Sequence, residues 1–184
     1  VIESDTIHWG WGDRCGDLTT GGRWSSAELL LHINCLELLA GSFAVRSFSP
    51  QHRWCCVLLR MDNMSAVQYV NRLGCTRSRI LAQIAKEFWD FCLFNQISVV
   101  AVHLPGKENL MADWNSHFLT DSSDWKLHTP LFSVMKIWGP CQRDLFASRL
   151  TIQLPLFFSW RPDPLAMATD AFLQRWMGLN YAFP

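Results

Sequence analysis

Cys55-Cys56-Val57-Leu58-Leu59-Arg60-Met61-Asp62-Asn63 decides the fold. A nearly continuous apolar run of this length is the mark of a central β-strand buried on both faces. Such strands sit in sheets covered by helices, and the flanking sequence supplies them. Downstream, Met64 to Leu73 reads as a helix closed by Gly74. A second helix runs from about Ser78 to Phe94, with Ile80, Leu81, Ile84, Phe88, Phe91 and Cys92 on one side. Ile97 to His103 is the next strand, and Glu108 to His117 a short final helix. Upstream, the spacing of Leu29, Ile33, Leu36, Leu39, Ala40, Phe43 and Ala44 predicts a helix over 26–48, stopped by Ser49-Pro50. Residues 1–7 and 9–15 read as strands. Gly16-Asp17 and Gly21-Gly22 suggest a hairpin that returns as a third strand near 20–25. The order is three strands, helix, strand, two helices, strand, helix. An antiparallel meander followed by right-handed parallel crossovers gives an α/β fold with a mixed five-stranded sheet flanked by helices.

Four carboxylates stand within or beside these apolar runs: Asp5, Glu37, Asp62 and Asp113. A carboxylate in apolar surroundings is costly unless it is paired or holds a metal. Asp62 ends the central strand, where ligands gather in open α/β sheets. Four such groups suit two divalent cations, an arrangement that cleaves phosphodiesters.

The stretches around these residues resemble a retroelement ribonuclease H domain, closest to the DIRS-like retrotransposons that integrate with a tyrosine recombinase. The matching motifs are Ser4-Asp5 before Gly10-Trp11-Gly12, His32-Ile33-Asn34 before Leu36-Glu37-Leu38-Leu39-Ala40, Met61-Asp62-Asn63, and His103-Leu104-Pro105-Gly106-Lys107-Glu108-Asn109 before Ala112-Asp113. They occur in family order and span residues 1–118. The resemblance implies two Mg2+ ions, replaceable by Mn2+, held by Asp5, Glu37, Asp62 and Asp113. It implies an RNA/DNA hybrid as substrate and an upstream reverse transcriptase domain as partner within one polyprotein. Asn34, three residues before Glu37 and on the same helical side, would touch the nucleic-acid backbone in the minor groove, and Asn63 and Asn109 join it as contacts. Reading 2′-hydroxyls in a wide minor groove is how a protein tells RNA from DNA. His103 is a candidate proton shuttle in the same family, against a structural hydrogen-bonding role.

Arg72, Arg77, Arg79 and Lys86 form the densest basic cluster, and Arg77 and Arg79 are the candidate phosphate contacts; an ordinary solvated face is the competing reading. Trp9, Trp11, Trp24, Trp54 and Trp89 have faces on which bases could stack, but ten tryptophans in 184 residues favour core packing for most. Two departures from the family pattern stand out. Asp13-Arg14 puts charges in the second strand, and Asn115 and His117 replace residues typical of the final helix.

The 184 residues suit one domain plus an appendage, and the 49% hydrophobic content is ample for a core. The formal net charge is zero, which speaks against tight autonomous nucleic-acid binding. Seven cysteines, without a C-x-x-C pair, disfavour zinc and redox roles and favour a reduced, intracellular setting in cytoplasm or nucleus. No apolar run approaches the roughly 18 residues that span a bilayer, and no signal peptide is expected. Val1 opens the chain inside a strand, which reads as a fragment of a longer polyprotein.

From residue 119 the character changes. Thr120-Asp121-Ser122-Ser123-Asp124 is a polar link, and the remainder is rich in Trp, Phe and Pro. Asp144-Leu145-Phe146-Ala147-Ser148 and Asn180-Tyr181-Ala182-Phe183-Pro184 are similar to parts of the adenine-methyltransferase region that follows ribonuclease H in DIRS-like elements. No Gly-rich cofactor loop follows Ser148, so 119–184 is expected to be an appendage without methyltransferase activity. Two other functions stay open: an inactive ribonuclease H-like binding module of a decayed element, and another nuclease of the same fold.

Overall fold

A computed structural model describes residues 1–49, 54–74, 77–105, 125–135, 137, 139–178 and 180–181. The chain forms two compact units, Val1–Thr120 and Asp121–Pro184.

The first unit is built on a five-stranded mixed sheet. Strands β1 (Ile2–Ile7), β2 (Gly10–Cys15) and β3 (Leu18–Arg23) make an antiparallel meander; β4 (Cys56–Met61) and β5 (Ser98–His103) add in parallel, in the order β3-β2-β1-β4-β5. Tight turns close the meander, and the β2–β3 turn uses Gly16 at φ +63°, a conformation glycine adopts without a Cβ penalty. Helices α1 (Ile33–Phe48), α2 (Met64–Asn71) and α3 (Arg79–Asn95) complete the described part of this unit. The expected helix over 108–117 lies outside the described residues.

The helix expected over 26–48 starts later. Ser25 and Glu28 form a reciprocal cap: the Ser25 backbone N–H donates to the Glu28 carboxylate at 2.6 Å, and the Glu28 N–H donates to the Ser25 hydroxyl at 3.3 Å. This capping box closes only a single 3-10 turn, Glu28–Leu30, after which the chain extends at Leu31 and restarts with His32 as the cap of α1. The apolar periodicity is continuous across a break that local hydrogen bonding creates.

The main core lies between one sheet face and the helices. Ile2, Val57, Leu59, Met61, Val99 and Ala101 pack with Leu38 and Val45 of α1, Val67 and Val70 of α2, and Ile84 and Phe88 of α3. Burial of this many large apolar side chains, at about 25 cal/mol per Å² of apolar area, is the dominant favourable term. A second cluster joins the meander to α1: Trp11, Trp24, Leu36 and Ala40, with Trp11 edge-on to Phe43 at 5.3 Å between ring centroids. Trp11 and Trp24 are core residues, and Trp89 is half-buried with its indole N–H on the Val70 carbonyl at 3.0 Å. Trp9 and Trp54 remain exposed. Asn71 bonds the backbone of edge strand β5 twice, to the Ala101 carbonyl (2.8 Å) and from the Ala101 N–H (2.9 Å), which covers part of an edge otherwise open to pairing.

The second unit has a short helix α4 (Thr129–Met135) and four short parallel strands, β6 (Arg143–Asp144), β7 (Leu156–Ser159), β8 (Ala168–Thr169) and β9 (Asn180–Tyr181), in the order β8-β7-β6-β9. Leu145, Phe157 and Phe158 are buried, whereas Trp125, Trp160, Phe172 and Leu173 are exposed. Among the described residues no helix is long and apolar enough to cross a membrane.

Candidate active site

The parallel pairing of β1 with β4 places the first two carboxylates. Ser4 is in register with Met61, so the next residues, Asp5 within β1 and Asp62 just past the carboxyl end of β4, lie side by side on neighbouring strands. Strands in a sheet lie about 4.8 Å apart. Asp5 is buried within β1, and Asp62 is half-buried just beyond β4.

Helix α1 brings the third. It lies close against β4 at Gly41, where an added Cβ would stand 2.9 Å from Met61 Cε and 3.2 Å from Leu59 Cδ2. Glu37 lies one turn earlier on the same side of the helix. Its side chain is hydrogen-bonded to Asp62, and its carboxyl is pushed up to about 9, first by burial and then by the like charges of Asp62 and Asp5. Glu37 therefore carries a proton at neutral pH and donates it to Asp62. Asp5, Glu37 and Asp62 form one electrostatic group; Asp113, the fourth expected member, lies outside the described residues.

The chemistry of this group fits divalent magnesium. It offers hard carboxylate oxygens only, and a cation would relieve the repulsion that keeps Glu37 protonated. Among the described residues no three of His, Cys, Asp and Glu form a ready metal-holding group.

A further buried carboxyl stands out in the sequence only as a departure. Asp13 is completely buried in β2, in register with Ser4. Burial pushes its carboxyl well up, the Ser4 side chain opposes this, and the Asp5 charge adds to it. The signal was legible: with a period of two, Asp13 shares the face of Trp11, which packs against α1.

Asn34, in the first turn of α1, meets Asn63, the cap of α2. Asn63 Nδ2 donates to Asn34 Oδ1 at 3.0 Å, while Asn63 Oδ1 accepts from the Ala66 N–H at 3.0 Å. His103 is exposed as the last residue of β5, in register with Met61, one position before Asp62 on the adjacent strand. Arg77 and Arg79 are exposed at the start of α3. Arg77 and Arg72 line a pocket of about 150 Å³ with Ser65, Gln68 and Tyr69. The Tyr69 hydroxyl accepts from the Ser78 N–H at 3.0 Å and so ties α2 to the start of α3. Lys86 is engaged with Asp90 at 2.6 Å. Asn109 lies outside the described residues.

A search of protein-family models gives no match to this chain, and a search of curated proteins gives none.

Proposed function

We propose that residues 1–118 are a ribonuclease H domain of the DIRS-like retroelement kind, a metal-dependent endonuclease that hydrolyses the RNA strand of RNA/DNA hybrids beside an upstream reverse transcriptase domain. One juxtaposition carries the reading. Asp5 lies within β1 beside Asp62, which directly follows the adjacent parallel strand β4, and Glu37 reaches Asp62 from α1. Asp5, Glu37, Asp62 and Asp113 would hold two magnesium ions, which when bound activate a water and stabilise the leaving oxygen. The chain's own residues orient the scissile strand. Asn34, held by Asn63, stands near the carboxylates as a groove contact, and Arg72, Arg77 and Arg79 add positive charge for backbone phosphates. His103, exposed at the same end of the sheet, is available to pass a proton.

The test is cleavage of a labelled hybrid. Activity is expected with magnesium or manganese and not with calcium, whose looser coordination suits the two-ion transition state poorly. Asp62→Asn removes a ligand charge at nearly constant volume and should lower cleavage at least 100-fold with the fold retained by circular dichroism. Undiminished cleavage by that variant refutes the assignment. Preferential cleavage of duplex DNA would instead indicate another nuclease of this fold. A second reading, an inactive module of a decayed element, draws on Asp13, a buried carboxyl in β2. Hybrid binding without any cleavage in manganese would select it.

A further inference from the structure

We infer that Asn63 is a positioning residue that fixes the hydrogen-bond polarity of Asn34, so that the site presents an N–H donor, and not a carbonyl acceptor, to the groove of the nucleic acid. The inference rests on the hybrid-nuclease reading and goes beyond it by assigning Asn63 a different task from contact.

An asparagine side chain has one acceptor end and one donor end, and its orientation follows from its partners. Asn63 has no freedom in this respect. The Ala66 backbone N–H can only donate, so the atom that faces it is Oδ1. This is the N-cap bond of α2, and it satisfies one of the orphan donors of that helix. With Oδ1 committed, Nδ2 must face Asn34, and the atom it meets there must be the acceptor, Oδ1 at 3.0 Å. Asn34 Nδ2 is thereby turned away from Asn63, and no protein acceptor engages it among the described residues. The backbone N–H of Asn34 is itself spent on His32 Nδ1 at 3.2 Å, which leaves the side-chain amide as the outward donor. A cap at the start of one helix thus sets which end of an amide a second helix offers.

The chemistry of the recognised group follows. In the minor groove both strands display acceptors, purine N3 and pyrimidine O2, and RNA adds the 2′-hydroxyl oxygen. An N–H donor matches each of these. An outward carbonyl would face those acceptors with a lone pair and could pair only with a hydroxyl hydrogen or with the guanine N2 amino group.

Asn63→Asp separates this role from capping. Aspartate caps a helix as well as asparagine does, but its carboxylate cannot donate. Asn34 must then turn over to give its own Nδ2 to the new carboxylate, and its carbonyl faces out. Equilibrium binding of a hybrid by the full chain is measured in calcium, where cleavage is not expected. Asn63→Asp is expected to weaken binding at least tenfold. The added charge contributes to that loss, so the same substitution is made in an Asn34→Ala background. There the charge effect persists and the polarity effect vanishes, and the loss should shrink to about threefold or less. Asn63→Ser keeps an acceptor for the cap but is too short to reach Asn34, and should fall between wild type and Asn63→Asp. Equal losses from Asn63→Asp in both backgrounds overturn the polarity role while leaving the nuclease reading intact. A wild-type chain that binds no hybrid overturns both. A measurement that needs no nucleic acid and no acidic variant completes the test. The Asn63 side-chain amide protons of the free protein should be protected from solvent exchange, and Asn34→Ala should abolish that protection; unprotected protons in the wild type overturn the inference.

Discussion

Glu37 and Asp13 are both buried carboxyls at the interface between α1 and the sheet, and they teach opposite lessons. Each is pushed upward, and burial is the largest cause for both. The second cause separates them. For Glu37 it is the like charge of Asp62, followed by that of Asp5. For Asp13 it is the Ser4 hydroxyl, which acts the other way. Glu37 belongs to a set of same-sign groups with Asp5 and Asp62 on two parallel strands; Asp13 lies in the antiparallel meander, in register with a serine. A buried carboxyl among its own kind has a charge deficit that a cation fills. A buried carboxyl against a hydroxyl is a polar member of the core.

The sharpest way to break this contrast is through linkage between protons, metal and stability. Glu37 has a folded value of about 9 against an ordinary 4.5. The folded state therefore binds the proton more tightly than the unfolded chain. The associated stability is fully present below about pH 4.5 and is lost as pH rises toward 9. Carboxylates must be ionised to bind a metal, so magnesium should oppose this decline. In urea titrations with a chelator, the unfolding midpoint should fall between pH 5 and pH 9. Magnesium should restore it at pH 8 and do little at pH 5. At a hundredfold excess over Kd the restoration is about 2.7 kcal/mol. Glu37→Gln should flatten the decline and remove most of the magnesium effect. A magnesium effect of equal size in Glu37→Gln would show that the cation acts elsewhere.

A smaller effect is expected at Asp13. Asp13→Asn is a near-isostere that cannot ionise. By the same sign argument, a carboxyl raised in the folded state weakens stability increasingly above its unfolded value. The variant should be more stable than wild type at pH 8, by on the order of 1 kcal/mol, the scale of an imperfectly satisfied buried polar group. The two should converge near pH 4. Hybrid cleavage and the response to magnesium should change less than threefold. A 100-fold loss of cleavage in a folded Asp13→Asn protein would place Asp13 in the machinery and erase the contrast with Glu37.

Much of this was legible in the sequence because buried strands and the spacing of apolar residues report directly on the sheet. Cys55 to Met61 marked the strand that β1 and β5 flank, but not burial on both faces: Val57, Leu59 and Met61 are buried, whereas Cys56 is exposed and Leu58 and Arg60 are half-buried; the register of β1 with β4 then set Asp5 beside Asp62. What was not legible depended on hydrogen bonds that cross between elements or override periodicity. The start of α1 was displaced by the local bonds of Ser25 and Glu28. The tie between Asn34 and Asn63 joins residues 29 positions apart, and no spacing rule encodes which end of an amide points where. Asp13 is an intermediate case. Its alternation with Trp11 announced burial, while its charge argued for the surface, and packing prevailed.

The smallest expected effect probes how α1 holds Glu37 against β4 without touching Asp13. Gly41 follows Glu37 by one turn and lies close against Met61 and Leu59 of β4. Replacing a mid-helix glycine by alanine favours the helix by about 1 kcal/mol. Against this, the new Cβ would stand 2.9 Å from Met61 Cε and 3.2 Å from Leu59 Cδ2, and overpacking costs about 1–3 kcal/mol. Met61 is flexible at the atom that must move, which puts the cost at the low end. The two terms nearly cancel, so Gly41→Ala should change stability by less than about 1 kcal/mol. The displacement should still be felt at Asp62, because a helix lifted by a few tenths of an ångström carries Glu37 with it. Hybrid cleavage should fall a few-fold, and the magnesium midpoint should rise with it. The pH dependence contributed by Asp13 should stay as in the wild type, since Ser4 and Asp13 are held by strand register and not by this contact. A variant in which both carboxyls respond together would mean that α1 moves as a rigid lid over the whole sheet, and that the two environments are not independent.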